Sequence, residues 1–457
     1  MLSQDDLWFS EWRARELTRI ARAGVTYVDY TGAALYPESL VRGDAERLAG
    51  TLLANPHSQS TASLAATRDV DAARTALLDF LNADPGEYAV VLTPNASGAC
   101  RLVGESFPFG AGSVFALSQD NHNSVNGIRE FAARRGAAQA VLPLDDELRL
   151  HDVWSMIGDA PPGSSLLAFP AQSNFSGVRH PLSLVAEARA RGWFVLLDAA
   201  SYLATSDLDL RVVRPDFVCL SLYKIAGYPT GLGALVVRRE ALRQLQRPSF
   251  AGGTVRWVSV QHQRHRLADG AEGYEDGTVS FLAAGAVPAA LAAMRAAGRD
   301  RLPRHLACLT DRLLGGMKAT RHANGAPGVR VHGPAGTGAR GPTLAVSLLD
   351  ANGAVLPYWD VEEQARAAGI AVRGGCFCNP GCSERAFRFD EGPVLACLEA
   401  LGDHFTVPAF ARCMEGRAVG AIRISLGCGS VMSDVERVLD FIRAVTAASD
   451  GACLTAK

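Results

Sequence analysis

The feature that most constrains the fold is a run of alternating strand and helix patterns between about residues 86 and 240. Several strand segments are uninterrupted apolar runs, which is typical of strands buried on both faces of a sheet. The strand segments are EYAVVLTP, SVFALS, AAQAVLPL, SLLAFPA, WFVLLDAA, DFVCLSLY and GALVVRR. Between them lie the helical patterns SGACRLVGESF, NSVNGIREFAARRG and LSLVAEARARG, the last two ending at Gly136 and Gly192. This alternation predicts an α/β fold with a mostly parallel central sheet flanked by helices.

The pattern changes after about residue 290. Residues 283–320 are rich in Ala, Leu and Arg and predict one long helix, followed by a Gly/Pro-rich stretch, ANGAPGVRVHGPAGTGARGPT. Beyond it we predict strand TLAVSLL, helix VEEQARAAG, strands IAVRGG and AIRISL, and helix VERVLDFIRAVT. We therefore expect a large domain over residues 61–290 and a smaller α+β domain over 291–457. Residues 1–60 are expected to pack on the small domain or at a subunit interface.

Composition narrows the class of protein. Lys and Arg number 45 against 47 Asp and Glu, a formal net charge of −2 without a basic block, which argues against nucleic acid as a partner. The N-terminus, MLSQDDLWFSEWRAREL, is acidic and lacks the apolar core of a secretory signal. The longest apolar run, residues 278–294, contains Pro288 and is too short to span a bilayer. We expect a cytoplasmic protein with no membrane partner.

The cysteines fall into two groups. In a chain without an export signal we expect reduced thiols. Three cysteines cluster in RGGCFCNPGC, at Cys376, Cys378 and Cys382. The others are isolated, and we expect them to be small buried hydrophobic residues: Cys100, Cys219, Cys308, Cys397, Cys413, Cys428 and Cys453.

Polar residues follow the predicted strands where the strands end, which is where open α/β sheets bind ligands. The turn Asn95-Ala96-Ser97-Gly98 opens a helix, and its free amides favour an anion, although an ordinary N-cap serine explains Ser97 equally well. His122 follows the next strand, and a lone histidine is more often structural. The segment QSNFSG places Asn174 at the end of a third strand.

Asp198 and Lys224 are the most informative of these residues, because each ends an apolar strand. A buried acid needs a cationic or hydrogen-bonding partner, which a protonated pyridine nitrogen would supply. A desolvated lysine with a lowered pKa is what Schiff-base chemistry requires. An anion site, a stacking side chain, an acid and an amine on successive strands together predict a pyridoxal 5′-phosphate (PLP) site.

The cysteine cluster has competing interpretations. A Cys-x-Cys-x₃-Cys spacing lacks the fourth ligand of a structural zinc site, so we expect no metal. A disulfide to Cys382 is an alternative under oxidising conditions. The Gly-Gly before the cluster and the Pro-Gly within it predict a mobile loop.

Eight longer phrases connect the chain to a known family: YVDYTGAALYP, NPHSQS, QSNFSGVRHPL, LLDAASYLAT, SLYKIAGYPTGLGALVVR, YEDGTVSFLA, RGGCFCNPGC and IRISLG. On these the chain resembles the class V aminotransferases, the cysteine desulfurase-like group of fold-type I PLP enzymes. Within the group it is most similar to the desulfurase domain of molybdenum cofactor sulfurases. Those proteins continue into a further domain whereas this chain stops at Lys457, which leaves the sulfur acceptor open.

The resemblance implies a role for each matched residue. Lys224 would form the Schiff base, Asp198 would pair with the pyridine nitrogen, and His122 would stack on the ring. Asn174 would contact the ring oxygen or the substrate carboxylate, which Arg423 would clamp. The remaining cofactor contacts would be Ala96, Ser97, Ser201, Ser221 and Tyr223, with Gly253, Thr254 and Thr278 from the second subunit of a homodimer.

The resemblance also implies the reaction. A cysteine desulfurase-type sulfurtransferase releases alanine from L-cysteine and passes the sulfur, as a persulfide on Cys378, to an acceptor protein or small molecule. Cys376 and Cys382 would accept or relay sulfur. The alternatives are another class V reaction (aminotransferase, epimerase or C–S lyase) and a non-catalytic sulfur carrier. Cys378 discriminates, since a transaminase or epimerase does not need it.

Overall fold

The computed structural model describes residues 4–451. The strands are β1 (Thr26–Tyr27), β2 (Tyr88–Thr93), β3 (Val114–Ser118), β4 (Ala138–Leu142), β5 (Leu166–Pro170), β6 (Phe194–Asp198), β7 (Phe217–Ser221), β8 (Gly233–Arg238), β9 (Val255–Ser259), β10 (Arg264–Leu267), β11 (Val329–His332), β12 (Thr343–Leu348), β13 (Ile370–Ala371), β14 (Arg373–Gly375) and β15 (Ala421–Ser425).

The helices of the first half of the chain flank the larger sheet. They are α1 (Gln4–Glu16), α2 (Thr18–Ala23), α3 (Glu38–Gly50), α4 (Thr61–Phe80), α5 (Ala96–Ser106), α6 (Asn123–Asn126), α7 (Ile128–Arg134), α8 (Val153–Ile157), α9 (Ser183–Ala190), α10 (Leu222–Ile225) and α11 (Arg239–Leu242). The later helices are α12 (Phe281–Ala284), α13 (Val287–Ala296), α14 (Leu302–Ala319), α15 (Tyr358–Ala367), α16 (Pro380–Phe387), α17 (Glu391–Leu401), α18 (Val407–Cys413) and α19 (Met432–Gly451).

Within residues 4–451 the central sheet has seven strands in the order β2–β8–β7–β6–β5–β3–β4. Strands β7, β6, β5, β3 and β4 are parallel to one another, whereas β8 is antiparallel to both of its neighbours. Strand β2 therefore runs in the same direction as β7, and its carboxyl end lies at the same edge of the sheet. The predicted α/β fold and all seven strand segments are confirmed.

Burial on both faces explains the continuous apolar runs. In β2, Val90 and Leu92 pack into one hydrophobic cluster, while Ala89 and Val91 pack into another. Successive side chains of a strand point to opposite faces, so each face of the sheet is covered by its own helical layer.

A second sheet, in the order β11–β12–β15–β14, is antiparallel and is built from the C-terminal part of the chain. The N-terminal segment contacts this part: Thr26 of β1 pairs with Ile370 of β13, and Asp29 forms a bridge to Ser425. Phe9 of α1 also stacks on His305 of α14. The division into domains at about residues 60 and 290 stays a prediction.

The prediction of one long helix over residues 283–320 is wrong, because the segment forms α12, α13 and α14. Pro288 and Pro303 lie in the first turns of α13 and α14, where a missing N–H costs no helical hydrogen bond. Gly298 between those helices has a φ of +94°, which breaks the helical path.

Three other local predictions need correction. Gly127 divides the predicted helix NSVNGIREFAARRG into α6 and α7, although Gly136 and Gly192 do follow their helices with positive φ. The segment IAVRGG is divided between β13 and β14, which belong to different sheets. The Gly/Pro-rich stretch contains β11, because its four residues VRVH pair with the buried strand β12.

The expectation that all isolated cysteines are reduced and buried is also wrong. A disulfide joins Cys397 of α17 to Cys413 of α18, two helices packed together with these Cα atoms 5.8 Å apart. Cys308 is an exposed thiol on α14. The other described isolated cysteines, Cys100, Cys219 and Cys428, are buried as predicted, and Cys453 lies outside the described residues.

Over residues 4–451, no helix has both the length and the apolar character needed to cross a bilayer.

Candidate active site

The carboxyl ends of the central strands enclose one cavity, and it brings together most of the residues predicted from the sequence. Its lining includes Ala96, Ser97, His122, Asn174, Asp198, Ser201, Ser221, Tyr223 and Lys224. The cavity forms where β2, β3, β5, β6 and β7 end at one edge of the sheet. These polar side chains are distant in sequence, and the strand order places them within one enclosure.

Asp198 is the last residue of β6, and Lys224 lies in the short helix α10 that follows β7. Removal from water lowers the pKa of Lys224 below its ordinary value, and the nearby charges of Arg423 and Arg373 lower it further, whereas Asp198 and Cys378 raise it. Asp198 is buried, and its Oδ1 accepts a hydrogen bond from the Ala200 N–H at 2.9 Å.

His122 caps the short helix α6 with its imidazole. Its Nδ1 accepts a hydrogen bond from the Ser124 N–H at 3.1 Å, so the proton of the neutral ring lies on Nε2. Burial lowers the pKa of His122, and the charge of Lys224 lowers it further, while Asp198 raises it. The ring is therefore neutral at pH 7 and can donate through Nε2.

The first turn of α5 forms the anion-binding side of the cavity. The Asn95 side chain caps this helix by accepting from the Gly98 N–H at 2.9 Å. The Ala96 N–H donates to Ser221 Oγ at 2.8 Å, which ties the helix start to the end of β7. Ser97 Oγ lies 2.6 Å from Ser124 Oγ. Two hydroxyls and the amides of an α-helix N-terminus are suited to a phosphate.

This donor set fits PLP. Within residues 4–451 neither Asp198 nor Lys224 forms an ion pair, although both line the same cavity. A buried carboxylate without a cationic partner suits a protonated pyridine nitrogen, and a partly desolvated amine suits an aldehyde. The hydroxyls and the helix start on the opposite side match the phosphate.

Arg423, which was predicted to clamp the substrate carboxylate, already has hydrogen-bond partners within the protein. It is buried on β15, and its Nη2 donates to Asp29 Oδ1 at 2.8 Å while its Nη1 donates to the Asn174 carbonyl at 3.0 Å. Arg373 binds the other oxygen of Asp29 through Nε at 3.0 Å and Nη2 at 2.7 Å. The third nitrogen of the Arg423 guanidinium, Nε, is buried and has no hydrogen-bond partner among the described atoms. Asp29 and Arg373 were not predicted from the sequence. The signal for Arg373 was its position five residues before Cys378.

The cysteine loop, residues 376–382, is docked against this cavity. Asn174 Nδ2 donates to the Phe377 carbonyl at 2.7 Å, and the Asn123 N–H donates to the Cys378 carbonyl at 2.7 Å. The Phe377 ring packs on Phe175, and the Arg423 guanidinium lies over the Phe377 ring, 4.8 Å from its centroid. The loop is therefore held by hydrogen bonds, in contrast to the mobile loop predicted from its glycines. Cys378 itself is exposed.

A buried polar network beneath the loop anchors it. Asn379 Nδ2 donates to Asp120 Oδ1 at 2.6 Å and to Asn174 Oδ1 at 3.0 Å. Ser173 Oγ also donates to Asp120, whose second oxygen lies 2.9 Å from His180 Nε2. Asp120, His180 and Asn379 were not predicted from the sequence. A polar residue after a strand does not indicate which loop its side chain will contact.

The three loop cysteines have different environments. All are free thiols in the structure, so a disulfide to Cys382 is not formed. Cys382 is fully buried, and burial together with the nearby Asp120 carboxylate raises the pKa of its thiol well above the ordinary value. A neutral, enclosed thiol cannot accept sulfur readily, so the structure does not support the predicted relay through Cys382.

Gly253, Thr254 and Thr278 lie outside the cavity lining of a single chain. Thr278 Oγ1 accepts from Asn55 Nδ2 at 3.1 Å, and Gly253 lies beside the His57 ring. Their predicted contact with the cofactor of a second subunit stays a prediction. Over residues 4–451, no group of three or more His, Cys, Asp or Glu side chains is arranged to hold a metal ion.

A strand-end cavity that fits PLP is typical of PLP-dependent enzymes. The sequence shows to which family of these enzymes the chain belongs. The chain belongs to the class V aminotransferase family, because the family model described as aminotransferase class-V matches residues 26–438. The resemblance seen in the sequence motifs is thereby confirmed.

Particular relatives carry a more specific name. The chain is 34% identical over 94% of its length to the molybdenum cofactor sulfurase of Solanum lycopersicum, of which the match covers 56%. It is 33% identical over 94% of its length to the molybdenum cofactor sulfurase of Homo sapiens, of which the match covers 51%. The chain thus spans about half the length of these relatives.

Solved structures support the fold. A cysteine desulfurase from Thermococcus onnurineus NA1 superposes with a TM-score of 0.78 at 22% identity, covering 95% of this chain and 97% of that one. The cysteine desulfurase CsdA from Escherichia coli gives a TM-score of 0.76 at 20% identity, covering 95% and 98%. The predicted fold-type I architecture is confirmed.

Proposed function

We propose that this chain is a PLP-dependent cysteine desulfurase-type sulfurtransferase, which releases alanine from L-cysteine and passes the sulfur, as a persulfide on Cys378, to an acceptor. One observation carries the proposal: the exposed thiol of Cys378 belongs to a loop bound directly by Asn174, a residue lining the same cavity as Lys224. The names of the relatives, molybdenum cofactor sulfurase and cysteine desulfurase, agree with it.

PLP, when bound, supplies an aldehyde that condenses with amines and a protonated ring that withdraws electrons from the substrate Cα. Asp198 would hold the proton on the ring nitrogen through its buried carboxylate. Ser97, Ser221 and the Ala96 N–H would hold the phosphate, His122 would cover the ring face, and Tyr223 and Ser201 would line its edges.

Lys224 is suited to move a proton. Because removal from water lowers its pKa, a larger fraction of its Nζ is uncharged at neutral pH than in a solvent-exposed lysine. The uncharged Nζ would hold the cofactor before substrate arrives and would remove the α-proton of the substrate afterwards. Neutral His122, with its proton on Nε2, would return a proton to the substrate.

The buried guanidinium of Arg423 would orient the substrate carboxylate. Its Nε, which has no partner among the described atoms, is a free donor beside the cavity, while Asp29 fixes the rest of the group. Arg373, which is half exposed and shares Asp29, brings a second positive charge. Two guanidiniums and one carboxylate leave a net charge of +1, which an amino-acid carboxylate would neutralise.

The sulfur step balances without an external oxidant. The Cys378 thiolate attacks the sulfur of L-cysteine, so an S–S bond forms while the substrate Cβ–S bond breaks. The bonding pair returns to Cβ, which takes up a proton. One L-cysteine and one protein thiol thus give one alanine and one persulfide.

We also propose that a second copy of the chain completes the site with Gly253, Thr254 and Thr278. The hairpin β9–β10 next to Thr254 exposes Trp257, Val258 and Val260, with exposed fractions of 50%, 46% and 86%. Large apolar side chains clustered on a surface are typical of interfaces. The acceptor, and the cytoplasmic location, stay predictions.

The test is an incubation of the PLP-saturated protein with L-cysteine and a thiol reductant, with alanine and sulfide measured. We expect equimolar products from the wild type and from Cys376→Ala, and neither from Cys378→Ala. Without reductant, mass spectrometry of the Cys378 peptide should show a gain of about 32 Da, the mass of one sulfur atom. Equal alanine release by Cys378→Ala would contradict the proposal, and sulfide released together with pyruvate and ammonia in place of alanine would favour a C–S lyase.

A further inference from the structure

A second polar cavity lies away from the PLP cavity. It has a volume of about 570 Å³ and lies between β11 and the C-terminal end of α16. We call it the arginine cleft, because its lining includes Arg330, Arg385, Arg388 and Arg417. None of these residues belongs to the proposed reaction.

Two of the four arginines of the arginine cleft lie near a carboxylate. The acid in its lining, Asp146, accepts from Arg385 Nη2 at 2.7 Å. Arg417 Nη2 donates to the Arg388 carbonyl at 2.9 Å, and its Nη1 lies 3.9 Å from Asp390, a carboxylate that is 79% exposed.

The other two guanidiniums are free to bind. Within residues 4–451, those of Arg330 and Arg388 have neither a hydrogen-bond nor an ion-pair partner. A chain with a formal net charge of −2 thus places four arginines around one concavity. Clefts lined by one sign of charge focus the field and concentrate counter-ions.

The backbone at Arg388 supports a role for its side chain. This residue follows α16 with a φ of +52°, in the left-handed region where glycine is the less strained choice at a helix end. Strained positions of this kind cluster at ligand sites, which agrees with a role for the Arg388 guanidinium.

The remaining wall is apolar. Val331, Phe387 and Leu148 line the arginine cleft together with His332. Burial and the charge of Arg330 lower the pKa of His332 to about 4, so its ring is neutral at pH 7. A concave lining of mixed polar and apolar groups, in a volume of several hundred Å³, suits a small molecule better than a flat protein interface.

We propose that the arginine cleft binds a small molecule carrying a phosphate or pyrophosphate group. A phosphate carries about two negative charges and accepts the paired donors of a guanidinium in parallel, which matches the two unpaired guanidiniums, whereas a single carboxylate would match only one of them. The site is separate from Cys378, because the packed rings of Phe387, His332, Phe175 and Phe377 lie between them. The proposal therefore does not depend on the reaction at Lys224.

The test is isothermal titration of the PLP-saturated protein with inorganic pyrophosphate at low ionic strength, with citrate as a non-phosphate anion. PLP is present so that its own phosphate site is filled. We expect one pyrophosphate site in the wild type. The affinity should fall at least about tenfold in Arg330→Gln/Arg388→Gln. It should fall less in the double lysine variant, which keeps the positive charges but loses the paired N–H donors of the guanidiniums. Arg366→Gln is the matched control, since Arg366 is exposed on α15 and pairs with Glu363.

Both arginines in the double variant are exposed, so it should fold, and its thermal unfolding curve checks this. Pyrophosphate binding that is absent from the wild type, or that keeps its affinity in the double glutamine variant, would overturn the proposal. Citrate binding as tight as pyrophosphate would overturn phosphate as the ligand class. These outcomes could be interpreted even if the cysteine assay gave a negative result, because the titration does not depend on the reaction at Lys224.

Discussion

The two halves of the candidate active site are held in place by different forces. Asp198 and Lys224 are attached to β6 and β7, whose residues are almost all buried and whose hydrogen-bond ladders continue to both neighbours. Cys378 lies in a loop outside any ladder, where Phe377 and Cys378 have φ values of +58° and +56°. The first half is fixed by the sheet, and the second by side-chain contacts.

The backbone of the cysteine loop is strained by this arrangement. Left-handed conformations of non-glycine residues cost about 1 kcal/mol or more each, so two in succession need outside support. Asn174, Asn123 and Asp120 provide it through hydrogen bonds to the loop. We infer that damage to the strand-end half removes the chemistry itself, whereas damage to the loop half should slow sulfur transfer and leave cofactor binding intact.

The largest expected effect is at the strand ends. Lys224→Ala should lower alanine formation by at least about 10³-fold, because the general base and the amine that binds the cofactor are lost together. The absorbance band of the aldimine with Lys224 should disappear with it once free amino acids are removed. Lys318→Ala, at an exposed position on α14, is the matched control and should behave as wild type. An unchanged aldimine absorbance in Lys224→Ala, after removal of free amino acids, would place the Schiff base on another residue.

The next largest effect is on the pH dependence of stability and comes from His332, which packs behind the cysteine loop. Burial lowers the pKa of His332 to about 4, below the value of about 6.5 for an unfolded histidine. The folded state therefore favours the neutral ring. The contribution of this ring to the free energy of unfolding is complete above about pH 6.5 and is lost as the pH falls toward 4. A shift of this size amounts to about 3 kcal/mol.

Denaturant unfolding of wild type and His332→Gln at pH 7.5 and pH 4.5 measures this effect. Glutamine does not titrate and can still bind Ser347, which His332 contacts at 2.8 Å. We expect the wild type to lose about 2 to 3 kcal/mol more than the variant between the two pH values. Parallel losses would mean that His332 is not buried as neutral imidazole.

A smaller effect is expected from the anchor of the loop. Asn379→Ala removes the donor to Asp120 and Asn174 and leaves buried oxygens unsatisfied, which costs about 1 to 3 kcal/mol of stability. Persulfide formation should slow about tenfold, while the cofactor absorbance stays unchanged. Asn352→Ala, in an exposed turn, controls for loss of an asparagine. A loss of cofactor absorbance in Asn379→Ala would mean that the two halves are not separable.

The same difference explains what the sequence could predict. The seven strands of the central sheet were predictable, because strands buried on both faces leave continuous apolar runs. Asp198 and Lys224 stood out as polar residues ending such runs, and the strand order then placed them in one cavity. The long helix over 283–320 was misjudged, since an Ala-rich composition conceals breaks at Gly298 and Pro303.

The supports of the loop were not predictable, because their partners are far apart in the chain. The Asn379–Asp120 contact joins residues separated by 259 positions, and Arg423–Asp29 joins residues separated by 394. Hydrogen bonds of this kind leave no periodicity in the sequence. The Cys397–Cys413 disulfide escaped notice for a related reason, since its cysteines come together only when α17 packs on α18.

The smallest effect should come from Cys382, although it belongs to the cysteine cluster. The thiol is fully buried, and burial and Asp120 raise its pKa, so it stays protonated and closed to the sulfur of a substrate. Cys382→Ala should therefore change the rate of alanine and sulfide release by no more than about twofold. Cys378→Ala, measured beside it, should abolish release. A tenfold loss in Cys382→Ala with unchanged unfolding would show that sulfur reaches the interior, and the loop would then have to open further than its contacts with Asn174 and Asp120 allow.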